Sequence, residues 1–104
     1  MTFTGNENHG ISLTQASAMT KNYRDSASAT TTIAFYFGKT AIQDILNQEG
    51  CVGIRIYKAI DENEKEQLVV TGVNSSGNDL YNGLLADRSL TCPSYCSASN
   101  PLNT

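Results

Sequence analysis

The sequence predicts a two-layer α+β fold, in which a small mixed sheet carries two helices. The prediction rests on alternating apolar residues in two neighbouring segments, on helical spacing in two others, and on a length of 104 residues. A chain of this length fits one domain and can bury a core without an obligatory metal or disulfide. We therefore expect a single domain over residues 1–104, with a flexible arm at 1–10 and a mostly irregular tail at 89–104.

Two segments have the spacing and the end signals of helices. Ser12, with a glutamine three residues later, has the capping-box spacing at the start of a helix that we place at about 13–25. Thr40 repeats that spacing before a second helix at about 41–48. Gly50 follows this second segment and is expected to supply a left-handed stop.

Three segments are predicted to be strands. The strongest pattern lies at about 51–60, where aliphatic residues alternate with Arg55 and Tyr57, so the two sets of side chains face opposite ways. A charged turn joins this strand to the segment at 66–74 as an antiparallel hairpin. The β-branched and aromatic run at about 31–37 predicts a third strand, which a right-handed crossover would place parallel to 51–60 in one mixed sheet.

Charge and hydropathy exclude several classes of function. The net charge is −3 and the pI is about 4.9, so the chain has no excess of lysine and arginine with which to neutralise nucleic-acid phosphates. No apolar run approaches the roughly 18 residues of a membrane span. The first residues have neither the basic region nor the apolar core of a signal peptide. We therefore expect an acidic, soluble, cytoplasmic protein that binds neither nucleic acid nor membranes.

The three cysteines offer the clearest candidate chemistry. Cys92 and Cys96 are four positions apart, and with Cys51 and a fourth ligand such as His9 they could hold a zinc ion. Two alternatives remain open: structural or free thiols, and a disulfide or redox pair. No cofactor other than zinc is indicated. A single histidine in a polar arm is a poor general base, so we predict no catalytic residue.

Arg55 and Tyr57 form a second candidate site. They share the face of the predicted strand that lies opposite the aliphatic one. With Tyr36 on a neighbouring strand, they could form an aromatic and basic surface for a small anion or a peptide. The alternative is a solvated sheet face with ordinary cross-strand pairs.

Several segments resemble a family of short, uncharacterised bacterial proteins. The shared pattern includes the strand GCVGIRIY at 50–57, a return strand followed by Gly-Asn-Asp at 77–79, and a Cys-Pro-x-x-Cys tail at 92–96. The resemblance spans roughly residues 36–96 and implies no activity or cofactor. It implies only that six residues belong to one shared pattern: Cys51, Arg55, Tyr57, Asp79, Cys92 and Cys96.

Two hypotheses of function follow from the sequence. The first is a non-enzymatic interaction or accessory module that binds an unknown protein partner or a second copy of itself. The second is a metal- or thiol-dependent protein that uses Cys51, Cys92 and Cys96.

Overall fold

The structure is a computed structural model that describes residues 2–104, so Met1 of the predicted arm lies outside the described residues. In chain order its elements are α1 (Leu13–Asp25), β1 (Ala34–Tyr36), α2 (Lys39–Leu46), β2 (Cys51–Ile60), β3 (Glu66–Asn74), β4 (Leu85–Ala86) and β5 (Leu90–Cys92). The predicted α+β class is confirmed. Contacts group the chain into two compact units: the segment up to Glu7 with Tyr36–Ser89, and Asn8–Phe35 with Leu90–Thr104. The single-domain organisation, the flexible arm and the irregular tail stay predictions.

The strand pairing differs from the single mixed sheet that the sequence predicts. Strand β1 covers only three residues of the predicted 31–37, and it pairs with β5 in a two-stranded antiparallel sheet of its own. The Ile33 N–H extends this pairing by donating to the Cys92 carbonyl at 2.8 Å. Strands β2, β3 and β4 form a separate antiparallel sheet in that order. A strand of three residues makes few ladder hydrogen bonds, and because β1 and β2 lie in different sheets the crossover rule does not apply to them.

Helix α1 confirms the predicted range and the predicted cap. The Gln15 N–H donates to the Ser12 hydroxyl at 3.0 Å, and the Ser12 N–H donates to Gln15 Oε1 at 3.1 Å. No residue of α1 is buried, however, and Leu13, Met19 and Tyr23 are exposed. The helical spacing therefore predicts the helix correctly without showing which surface covers it.

Helix α2 begins two residues earlier than predicted. Its N-cap is Gly38, because the Ile42 N–H reaches the Gly38 carbonyl at 3.3 Å, and Thr40 lies inside the first turn. The helix ends at Leu46, but Gly50 does adopt the predicted left-handed conformation, with φ of +79°. Of the helices within residues 2–104, none combines the length and the apolar character that crossing a membrane requires.

The β2–β3 hairpin has the predicted bounds. Ile56 pairs with Val70 and Ile60 with Glu66, and a bulge lies near the start of β2. The turn closes where the Asp61 N–H donates to the Lys65 carbonyl at 2.9 Å. The Asp61 carboxylate also accepts bonds from two backbone N–H groups of the turn, at 2.8 and 3.0 Å, which is a typical role of aspartate in tight turns.

The core of the three-stranded unit is narrow. Strand β3 is paired on both edges and supplies most of it, with Val70, Thr71 and Val73 buried, while α2 adds Ile45 at 1% exposure. The eight residues of α2 span about 12 Å, whereas the ten residues of β2 span about 34 Å. The helix is therefore too short to cover the length of the sheet.

Candidate functional site

Arg55 and Tyr57, the predicted binding surface, meet a carboxylate that follows β3. Arg55 Nη1 donates to Asp79 Oδ1 at 2.5 Å, and the Tyr57 hydroxyl donates to Asp79 Oδ2. Arg55 Nη1 also donates to the Gly77 carbonyl at 3.1 Å. We call Arg55, Tyr57 and Asp79 the Asp79 cluster. It fastens β2 to the turn that follows β3.

Phe3 lies against this cluster from the segment predicted to be a flexible arm. Its N–H donates to the Ser75 carbonyl at 2.7 Å, and its ring centroid lies 6.0 Å from Arg55 Cζ. A Cβ atom on Gly77 would lie 3.2 Å from the ring, and Gly77 also has a positive φ of +83°. Sequence reasoning missed Phe3, and the available signal was a single aromatic residue in an otherwise polar stretch.

The Asp79 cluster neutralises its own charges. The hydrogen bond from Tyr57, followed by the hydrogen bond and the charge of Arg55, lowers the pKa of Asp79. The hydrogen bond that the Tyr57 hydroxyl donates to Asp79 raises the pKa of Tyr57, because it holds the proton on the phenol; burial and the negative charge of Asp79 act in the same direction. It raises the pKa of Arg55 as well. Anion or peptide binding by Arg55 and Tyr57 stays a prediction, and an anion would have to compete with Asp79 for the guanidinium.

Of the three cysteines, the structure joins two. Cys92, which is buried at the end of β5, forms a disulfide with the exposed Cys96. Cys51 is a free thiol at the start of β2 and donates to the Gly53 carbonyl at 3.2 Å. Within residues 2–104, no three His, Cys, Asp or Glu side chains are grouped so that they could hold a metal ion. Zinc binding by the three cysteines stays a prediction that requires reduction of the disulfide, since zinc binds thiolates.

A cavity of about 290 Å³ opens beside the disulfide. Both cysteines line it, together with Arg24 and Ile33. Arg24 Nη1 donates to the Leu102 carbonyl at 2.6 Å, which restrains the Arg24 side chain.

Strand β2 is an edge strand, and its aliphatic side is exposed. It is the outermost strand in the order β2-β3-β4. Ile54, Ile56 and Ile60 retain 40%, 51% and 75% of their accessible surface. At the bulge, the chain near Gly5 approaches the Val52 carbonyl, so a Cβ there would lie 2.7 Å from that oxygen. We call the remaining unpaired edge, residues 54–60, the β2 edge.

Comparison with protein-family models, with curated proteins and with solved structures gives no match to this chain. The resemblance to short bacterial proteins therefore rests on the shared residues alone. Three structural features remain as candidates for a functional role: the Asp79 cluster, the disulfide and the β2 edge.

Proposed function

We propose that this protein is a non-enzymatic interaction module that binds an extended segment of a partner along the β2 edge. The observation that carries the proposal is an unpaired strand edge flanked by three exposed isoleucines, Ile54, Ile56 and Ile60. An added strand would pair with the free N–H and C=O groups of this edge. Its side chains would at the same time cover the isoleucines.

Burial of the isoleucines would supply much of the driving force. Complete burial of one isoleucine stabilises a structure by about 1.5–3 kcal/mol, and Ile56 and Ile60 have half or more of their surface still to bury. Soluble proteins commonly protect such edges with short strands, prolines or charges. Strand β2 has ten residues and no proline, and Lys58 is the one charged residue on its isoleucine side.

The saturation of the Asp79 cluster supports a non-enzymatic role. Arg55 and Tyr57 both donate to Asp79, so the carboxylate holds a cation and a hydroxyl proton instead of being free to act as a general base. His9 is exposed and makes no hydrogen bond to any of residues 2–104. The Asp79 carboxylate is therefore already occupied by its two donors, and His9 lacks the oriented neighbour that acid–base catalysis requires.

Native mass spectrometry of the protein, purified from the cells that make it, tests the proposal. We expect the wild type to carry the added mass of a partner protein or of a second copy. We expect Ile56→Asp to lose this mass, while Ile11→Asp, which changes an isoleucine outside β2 that is at least as exposed, keeps it. A bare chain in the wild type, or an added mass that survives Ile56→Asp, contradicts the proposal. An extra mass of about 65 Da that is lost on denaturation would instead indicate zinc.

The cellular compartment of the protein determines whether the Cys92–Cys96 disulfide persists. The sequence predicts a cytoplasmic protein, whereas a disulfide such as Cys92–Cys96 persists mainly in oxidising compartments. A cytoplasmic location would therefore imply that the two thiols are reduced there, or that the bond is a transient, reactive one.

The Cys92–Cys96 disulfide favours a second candidate function, thiol–disulfide exchange. A dithiol from another protein would attack this bond, become a disulfide itself, and leave Cys92 and Cys96 as two thiols. The exposure of Cys96 and the cavity that both cysteines line support this chemistry, because an attacking thiolate needs access to a sulfur. A redox titration against glutathione tests it. A reduction potential between about −120 and −270 mV supports exchange, while one below about −300 mV identifies a structural bond and rejects it.

A further inference from the structure

Lys58 is an unpaired cation in the middle of the β2 edge. It is exposed and lies between Ile56 and Ile60 on the isoleucine side of the strand. Ion pairs within residues 2–104 join Lys21 to Asp25 and Arg55 to Asp79, so Lys58 takes part in none. The charge at this position therefore bears on which strand can dock there.

A second copy of this chain is a poor occupant of the edge. The midpoint of residues 54–60 is Tyr57, so antiparallel self-pairing over the whole edge would be centred there. Lys58 of one copy would then lie opposite Ile56 of the other and diagonal to that copy's own Lys58, about 7–8 Å away. Like charges across a strand pair are destabilising, and lysine on an edge is a common device against edge-to-edge association.

A carboxylate in the added strand would replace the repulsion at Lys58 by attraction. Opposite charges that face each other across a strand pair stabilise the pair. An open groove of about 600 Å³ lies at the Ile60 end of β2 and is lined by Lys58, Ala59 and Ile60 together with Glu64 and Glu66. Glu66 is the register partner of Ile60 and Leu68 that of Lys58, so an acidic residue that faces Ile60 is repelled, whereas one that faces Lys58 meets the cation.

We propose that the occupant of the β2 edge is an extended segment of another protein with an apolar-x-acidic-x-apolar pattern. The acidic residue faces Lys58, and the apolar residues two positions away on either side face Ile56 and Ile60. This inference rests on the proposed function of the edge and adds the chemistry of the partner. Charge complementarity at Lys58 selects this partner over a second copy.

Selection from a displayed library of random heptapeptides tests the inference. The immobilised baits are the wild type, Lys58→Glu, and Lys65→Glu as a matched control on the hairpin turn. We expect the wild type and the control to enrich Asp or Glu flanked by apolar residues at ±2. We expect Lys58→Glu to enrich Lys or Arg instead. Replacing the acidic residue of a selected peptide by its amide should weaken wild-type binding about three- to fivefold. Hydrogen exchange then reports whether the bound peptides protect residues 54–60.

Each other outcome overturns a defined part of the argument. Peptides that protect residues 54–60 without a charge preference, or with one that Lys58→Glu leaves unchanged, overturn the inference but leave the proposed function standing. A peptide-free wild type that dimerises with protection of the same residues also overturns the inference. If no peptide and no second copy protects β2, both the inference and the proposed function are wrong. Lys58→Gln is a second variant that removes the charge without reversing it, should Lys58→Glu fail to fold.

Discussion

Gly72 of β3 marks a place where the sheet is approached more closely than a side chain permits. A Cβ atom there would lie 2.9 Å from Cys51 Sγ and 3.0 Å from Gln48 Nε2. The Gln48 amide is held in place, since its Nε2 donates to the Ile45 carbonyl at 2.9 Å and its Oε1 accepts from the Leu84 N–H at 2.8 Å. The neighbours of Gly72 therefore cannot all move aside.

We predict that Gly72→Ala lowers the free energy of unfolding by about 1–3 kcal/mol, the usual cost of overpacking. Urea unfolding measures this loss. Gly53→Ala is the matched control on the paired strand, because nothing lies within 4 Å of a Cβ atom there. In a Cys51→Ala background the loss should be smaller, since the nearest atom is gone. Equal losses for Gly72→Ala and Gly53→Ala would show that the close approach is not the cause.

At the scale of the elements, the sequence predicts the bounds of a helix or hairpin well where hydrogen bonds between near neighbours in the chain determine its ends. Helix α1 and the β2–β3 hairpin have the predicted bounds, because a capping box and a charged turn fix their ends with bonds between near neighbours. The start of α2 is predicted less well. Thr40 has the capping-box spacing, but Gly38 takes the N-cap position without a side-chain bond.

Contacts between distant parts of the chain could not be predicted in the same way. The pairing of β1 with β5 joins segments separated by more than fifty residues, and periodicity contains no information about such partners. Alternation shows that Ile54, Ile56 and Ile60 share a face, but it does not show that α2 is too short to cover it. The candidate site was predicted in part for the same reason: Arg55 and Tyr57 were found from alternation, whereas their bonds to Asp79 depend on the turn after β3.

At the scale of the whole molecule, the dependence of stability on pH comes from a few hydrogen-bonded carboxylates and one tyrosine. Hydrogen bonds from backbone N–H groups lower the pKa of Glu7 and of Asp61, and the bond from Tyr57 lowers the pKa of Asp79. A carboxylate with a lowered pKa stabilises the fold above about pH 4, and this stability is lost as the pH falls through the lowered value. The raised pKa of Tyr57 affects stability at high pH. Its contribution is complete below about pH 10 and is lost as the pH rises through the raised value.

Asp79→Asn should therefore make the stability of the protein depend less on pH, both in acid and in base. The substitution removes the carboxylate that loses stability in acid, and it replaces the charged acceptor of the Tyr57 hydrogen bond, which raises the pKa of Tyr57, by a neutral amide. We expect the urea midpoint of the variant to fall less steeply than that of the wild type below pH 4 and above pH 10. Part of the acid slope should remain, because Glu7 and Asp61 are unchanged. Asp87→Asn alters an exposed carboxylate and should flatten neither end. A wild-type slope at both ends of the Asp79→Asn profile would mean that the Asp79 cluster does not hold β2 to the turn in solution.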